Sequence, residues 1–279
     1  MAGIGINTNS EALGAVRYLS KTSNMIGTSM QRLSSGKRIN TAADDAAGLA
    51  IVSNLNRQIT GTEQAIRNAN EGISLIQVMD SALEEMTSIF QRARQLAVYA
   101  SNGTLSPTDR SSLDAEYQQL VNTTSGEAQR IVTSTTFNGI SLLDNSNPTL
   151  DFQVGWQSTD TIQITTQDMS PTNAALAGFG DVATQANASA EIVTIDGAID
   201  VVVAYRAELG AYQNRFSSTI SNLENLSEKT QVARGRIEDA DFAAESTNLA
   251  RAQVLQQAGM GMLARANSSS QQVLQLLQQ

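Results

Sequence analysis

Apolar residues recur every seven positions in two stretches of this chain, and the stretches lie toward its opposite ends. In the first, Val52, Ile59, Ile66 and Ile73 are seven apart. A second series then runs through Ala69, Ile76, Leu83, Phe90 and Ala97, partnered three residues later by Gly72, Met79, Met86, Ala93 and Ala100. The other stretch carries Ile195, Val202, Leu209, Phe216, Leu223, Thr230 and Ile237, with partners from Ala198 through Tyr205 and Tyr212 to Ala240. A repeat this long marks a coiled coil rather than an ordinary amphipathic helix. The change of series, with Asp80 ending the first, predicts a stutter in the supercoil. The prolines, Pro107, Pro148 and Pro171, leave residues 1–106 and 172–279 without the strongest helix breaker. A helix over 45–101 would run about 85 Å at 1.5 Å per residue. Two such rods can bury their stripes on each other, with the seven-spaced residues as the rod core. Aromatics at 4% against 41% hydrophobic residues suit this thin helix-on-helix packing.

A third helix begins at Ser106 as N-cap, Pro107 as first residue and Asp109 at the third position. Its stripe is Leu113, Tyr117, Leu120, Thr124, Ala128 and Ile131, and Phe137-Asn138-Gly139 marks a turn after it. In the middle, Phe152, Val154 and Trp156 alternate, as do Ile162 and Ile164, which predicts one short β-hairpin. Residues 171–190 are small and polar and read as surface loop. The outermost segments carry weaker stripes: Leu13, Val16, Leu19, Ile26, Met30 and Leu33 at one end, Leu249, Val254, Leu263, Val273, Leu274 and Leu277 at the other. Such helices fray alone in water and need packing partners. The expected fold is mainly α: long coiled-coil helices pair the N- and C-terminal arms, with a small β-hairpin between. Residues 1–43 with 240–279 form a terminal-helix domain, 44–144 with 191–239 the rods, and 145–190 the hairpin and loop.

The chemistry of the residues excludes several functions. A net charge of −9, with an isoelectric point near 4.6, argues against nucleic acid, since Lys37-Arg38 is the densest basic cluster. The chain has no Cys and no His, so thiol nucleophiles, disulfides and the commonest base and metal ligand are missing. No stretch approaches the roughly 20 apolar residues that span a bilayer, and the first residues do not resemble a Sec signal peptide. Asp44 and Asp45 are adjacent, so on a helix they point to different faces and serve its N-terminus better than acid–base chemistry. No cofactor is implied, and the expectation is a non-enzymatic structural protein.

Several longer motifs resemble one family. Gln31-Arg32-Leu33-Ser34-Ser35-Gly36-Lys37-Arg38-Ile39-Asn40, Asp44-Asp45-Ala46-Ala47-Gly48 and Arg67-Asn68-Ala69-Asn70-Glu71-Gly72-Ile73-Ser74 resemble the N-terminal region of bacterial flagellin. Leu209 to Phe216, Arg236 to Phe242 and Gln256-Gln257-Ala258-Gly259 resemble its C-terminal region. The resemblance implies a subunit that polymerises into the flagellar filament, its terminal helices forming an inner tube and its rods a surrounding layer. It also implies secretion by the flagellar type III apparatus, an export chaperone, a filament cap, hook-junction partners and sister flagellins. The large outer domains of many flagellins have no counterpart here. By the same resemblance Arg92, Leu96 and Glu116 match a contact with the host Toll-like flagellin receptor. A hook–filament junction protein of the same family is the alternative. An inserted His-Glu-x-x-His protease cannot exist in a chain without His.

Overall fold

The computed structural model describes residues 8–173, 176 and 178–277, with backbone alone for 270–277. Its elements are α1 (Ser10–Ser35), α2 (Ala46–Ala100), α3 (Pro107–Val121), α4 (Glu127–Ser134), β1 (Thr136–Phe137), β2 (Ile140–Ser141), β3 (Thr149–Gln153), β4 (Thr161–Thr165), α5 (Gln185–Glu238) and α6 (Phe242–Leu277). The chain divides into two compact units. Residues 1–57 with 229–279 form the terminal unit, and residues 58–228 the central unit. Both boundaries fall inside long helices.

In the central unit α2 and α5 run antiparallel. Asp80 receives Arg206 Nε at 2.7 Å, Asp196 receives Arg94 Nε at 2.6 Å, and Gly72 faces Phe216, so contact positions rise on one helix as they fall on the other. The seam holds the expected apolar residues: Ile59, Ile76, Leu83 and Phe90 from α2, and Val202, Leu209, Phe216 and Leu223 from α5, are buried. Val52, in the terminal unit, is buried as well. Ile66 and Ile73 are half-buried, which differs from the sequence expectation. Thr62, Ala65, Ala69 and Gly72 turn inward there instead. The series therefore changes near Ala65, before Asp80, because small residues let a second layer approach. That layer is Phe152 of β3, whose ring meets Phe216 edge-on with centroids 5.6 Å apart.

The third helix starts as its sequence dictates. Ser106 Oγ accepts the Asp109 N–H, the Asp109 carboxylate accepts the Ser106 N–H, and Pro107 opens the helix. α3 and α4 bury Tyr117, Val121, Ala128 and Val132 against the seam. β3 pairs with β4 antiparallel, Phe152 opposite Ile162 and Leu150 opposite Ile164. A second hairpin joins β1 to β2 around Asn138 and Gly139, whose φ angles of 50° and 80° are the paired positive values a two-residue turn needs.

The described residues of the segment 171–184 depart from the expected surface loop. Leu176 and Val182 are buried, and Phe179 stacks on Phe90 with centroids 5.5 Å apart. Polar groups from distant elements hold this segment: Gly180 N–H donates to Glu191, Gln118 Nε2 donates to the Gly180 carbonyl at 2.7 Å, and Val182 N–H donates to Asp114. Tyr117 O–H closes the cluster with a 2.6 Å bond to Glu191.

Candidate functional site

The terminal unit pairs α1 with α6 antiparallel. Asn9 Nδ2 donates to the Ala266 carbonyl at 3.0 Å near one end of the pair, and Ser29 Oγ donates to Glu245 at 2.5 Å near the other. Caps fix both helix starts, since Asn9 Oδ1 accepts the Ala12 N–H and Asp241 Oδ1 accepts those of Ala243 and Ala244. Gly36 ends α1 at φ +69°, a left-handed conformation that a side chain resists, and returns its N–H to the Arg32 carbonyl. The connectors then join as a short antiparallel bridge. Arg38 N–H donates to the Glu238 carbonyl, Ala240 N–H donates to the Gly36 carbonyl, and Lys37 Nζ lies 2.5 Å from Glu238.

The acidic pair Asp44-Asp45 serves the turn that leads into α2. Asp44 accepts the Thr41 and Asn40 N–H groups and the Thr41 hydroxyl, and this holds its carboxyl below the usual range, the Thr41 amide most of all. Asp45 caps α2 through the Gly48 N–H at 2.9 Å. Among the described residues no group of three or more His, Cys, Asp or Glu could hold a metal ion. No described helix is long and apolar enough to cross a membrane.

The α1–α6 seam has a seven-residue period, and large and small residues share it equally. Ala12, Ala15, Leu19, Thr22, Ile26, Ser29 and Leu33 of α1 are half-buried or buried, at alternating steps of three and four. Glu245, Leu249, Ala252, Gln256, Gly259, Leu263 and Ala266 answer them from α6. Buried Glu245, bonded to Ser29 and 3.7 Å from Arg32, is a polar seam residue of the kind that fixes register in coiled coils.

Large apolar side chains stand on the outside. Of the sequence stripes, Leu19, Ile26, Leu33, Leu249 and Leu263 line the seam, whereas Leu13, Val16, Met30 and Val254 are exposed at 51–65%. Val273, Leu274 and Leu277 lie among residues whose side chains are not described. Tyr18 at 73% and Phe242 at 67% add to the outer surface, with Met25, Leu255, Met260 and Met262. Sequence reading missed Tyr18, Leu255 and the Ser29–Glu245 bond. The signal that would have found the seam is the seven-spaced small series Ala15, Thr22, Ser29 and Ala252, Gly259, Ala266. The ribbon thus buries five large apolar residues among its small ones and leaves more of them exposed, an apolar surface larger than scattered single side chains make.

In the central unit Arg92 and Glu116 meet as an exposed ion pair, Nη2 to Oε1 at 2.6 Å. Leu96 does not join them at the surface. It is 3% exposed and belongs to the core, because its turn of α2 faces the seam.

Known proteins share this plan. Residues 6–148 match the family model of the bacterial flagellin N-terminal helical region, and residues 192–277 that of the bacterial flagellin C-terminal helical region. A flagellin of Halalkalibacterium halodurans is 45% identical over 274 residues, covering 98% of this chain and 99% of its own. A flagellin of Listeria innocua is 37% identical over 287 residues, covering 98% and 99%. The crystal structure of Bacillus cereus flagellin matches with a TM-score of 0.51 at 32% identity, over 56% of this chain and 88% of that one. Two family models that cover most of the sequence, and relatives matched end to end, lead to one conclusion: the chain belongs to the bacterial flagellin family.

Proposed function

We propose that the chain polymerises through its α1–α6 ribbon, as the repeating structural subunit of the extracellular bacterial flagellar filament. The observation that carries this reading is the exposed apolar surface of the ribbon, with Leu13, Val16, Tyr18, Phe242, Val254 and Met262 facing outward. Fully burying one such side chain contributes about 1.5–3 kcal/mol. Several together add a contribution comparable to that of the seam's own Leu19, Ile26, Leu33, Leu249 and Leu263. In the polymer neighbours cover these side chains, and that burial helps offset the ordering entropy of the helices.

In this reading residues 1–43 with 240–279 form the inner tube, and the rods 44–144 with 191–239 the layer around it. Residues 145–190 brace the rods and project no outer domain. Before export the apolar face of α6 is the surface a chaperone would cover. Cap and junction proteins would engage the same ribbon at the filament ends. A receptor contact would rest on the exposed Arg92–Glu116 pair without help from Leu96. The chain's role is architectural and needs no catalytic group.

The test deletes residues 260–279. The truncated protein should stay in the supernatant on sedimentation while the central unit keeps its helical circular dichroism. Filaments that form and pellet like those of the full chain would refute the proposal.

A further inference from the structure

The methionines divide between the two units without overlap. Met79, Met86 and Met169 belong to the core of the central unit and are at most 1% exposed. Met25, Met30, Met260 and Met262 stand on the terminal ribbon at 40–61% exposure. Met1, the remaining one of eight, lies outside the described residues.

The ribbon set straddles the seam. At about 100° per residue Met25 and Met30 lie roughly 140° apart around α1, and Met260 and Met262 roughly 160° apart around α6. Each helix therefore shows one thioether to either face of the ribbon. On one face Met262 lines a groove with Tyr18, and Met25, seven residues beyond Tyr18, continues the same stripe. What sets these four apart from the exposed leucines and valines beside them is a sulfur lone pair open to a small oxidant.

That lone pair attacks one oxygen of hydrogen peroxide. The O–O bond breaks, an S–O bond forms, and after a proton shift the other oxygen leaves as water. Sulfur loses two electrons and peroxide gains them. The product is a sulfoxide, polar where the thioether was apolar. Two thiols reverse the step under a sulfoxide reductase, carrying the oxygen away as water and leaving as a disulfide. A sulfoxide buried without a hydrogen-bond donor is destabilising in a way that a buried thioether is not.

We propose, on the footing that the chain polymerises through this ribbon, that Met25, Met30, Met260 and Met262 form a reversible oxidation site. Hydrogen peroxide acting there switches assembly off and leaves the central unit folded. Met79, Met86 and Met169 take no part, because peroxide reaches them only when that unit opens.

Peptide mass spectrometry of dilute monomer in hydrogen peroxide reads the site itself. The four ribbon methionines should gain oxygen about tenfold faster or more than the three of the core, and the difference should vanish in urea. Equal rates in the folded protein overturn the site. Seeded elongation reads the switch. Oxidation of the four should raise the critical concentration about tenfold or more, as each loses part of what a buried side chain contributes. Sulfoxide reductases for both epimers, with dithiothreitol, should restore it. Met25→Leu, Met30→Leu, Met260→Leu and Met262→Leu combined keep volume and apolarity without sulfur, and this variant should elongate equally well before and after peroxide. Normal elongation of oxidised wild type, failure of the reductases to restore it, or a leucine variant that peroxide disables as fully as wild type overturns the switch. If deletion of residues 260–279 still stops assembly in that case, polymerisation through the ribbon stands without this site. If the deleted chain also assembles, both readings fall.

Discussion

Gly72 is where three elements of the central unit converge, and it yields a quantitative prediction. A methyl group at Gly72 would lie 2.9 Å from Cζ and 3.1 Å from Cε1 of Phe216, and 3.3 Å from Cδ1 of Phe152. In an open helix, Gly→Ala stabilises by about 1 kcal/mol. Here the added carbon overpacks a core in which the two rings already meet edge-on, which costs about 1–3 kcal/mol. Gly72→Ala should therefore destabilise by about 1 kcal/mol net. Phe216→Leu alone should lose about 2 kcal/mol, half from the ring pair and half from burial. It also removes the two atoms nearest the Gly72 position, so in that background Gly72→Ala should become stabilising by up to about 1 kcal/mol. The coupling in the double-mutant cycle is then about 2 kcal/mol. Urea denaturation of dilute monomer measures it, with Trp156 as the probe. Trp156 is the chain's single tryptophan and packs on α2 at Gly61 within the same unit. Additivity of the two substitutions within about 0.5 kcal/mol would refute the convergence of these side chains at Gly72.

Tyr117→Phe should destabilise the central unit by about 2 kcal/mol, because buried Glu191 loses its hydroxyl partner and keeps the Gly180 N–H; an unchanged urea midpoint would contradict this. Burial first, and the Glu191 carboxylate second, push the Tyr117 hydroxyl well above the usual tyrosine range, so alkaline titration followed by absorbance should leave Tyr117 un-ionised until the protein unfolds. Asp44 and Asp109 have folded pKa values below their unfolded ones, set chiefly by the Thr41 amide and the Ser106 hydroxyl. The stability they contribute is complete above the unfolded value near 3.9 and is lost as pH falls through the lower folded values. Melting temperature should therefore hold from neutral pH to about 5 and drop below about 4, and Asp44→Asn should flatten part of that drop. Asp241→Ala, which strips the cap of α6, should reduce terminal-unit stability by about 1 kcal/mol, read by helical circular dichroism on heating.

The sequence made the long helices legible because burial on one stripe is a local property of period. Val202, Leu209, Phe216 and Leu223 are seven apart and buried, and Ser106 with Asp109 announces its own helix start. What escaped depends on partners far along the chain. Ile66 and Ile73 yielded the seam to Ala65, Ala69 and Gly72 because Phe152 and Phe216 needed room. Leu176, Phe179 and Val182 turned inward because Asp114, Gln118 and Glu191 supply the segment hydrogen bonds that no local pattern encodes. In the terminal unit the apolar stripes were visible, but their division between seam and surface was not. Leu19 and Leu13 are both leucines on α1, and the close approach of α6 near Gly259 turns one inward and leaves the other outside.

The same seven-residue period runs through both units, and they differ in how completely their large apolar residues are covered. In the central unit the seam takes Leu83, Phe90, Leu209 and Phe216, each worth about 1.5–3 kcal/mol when buried, so that unit carries its own stability. In the terminal unit the seam mixes Leu19, Ile26, Leu33, Leu249 and Leu263 with Ala15, Thr22, Ser29, Ala252 and Gly259, while Leu13, Val16, Val254 and Met262 stay in water. Larger apolar residues at the small seam positions would make the helix pair more stable on its own. Keeping them as they are couples the order of the ribbon to the number of copies around it, since each exposed residue contributes only when another molecule covers it. Filling the terminal seam, for example Ser29→Leu with Glu245→Leu, should therefore stabilise the isolated ribbon and weaken the dependence of its helicity on protein concentration. If such a variant instead kept the same concentration dependence as the parent chain, the small seam could not be what ties folding of the ribbon to assembly.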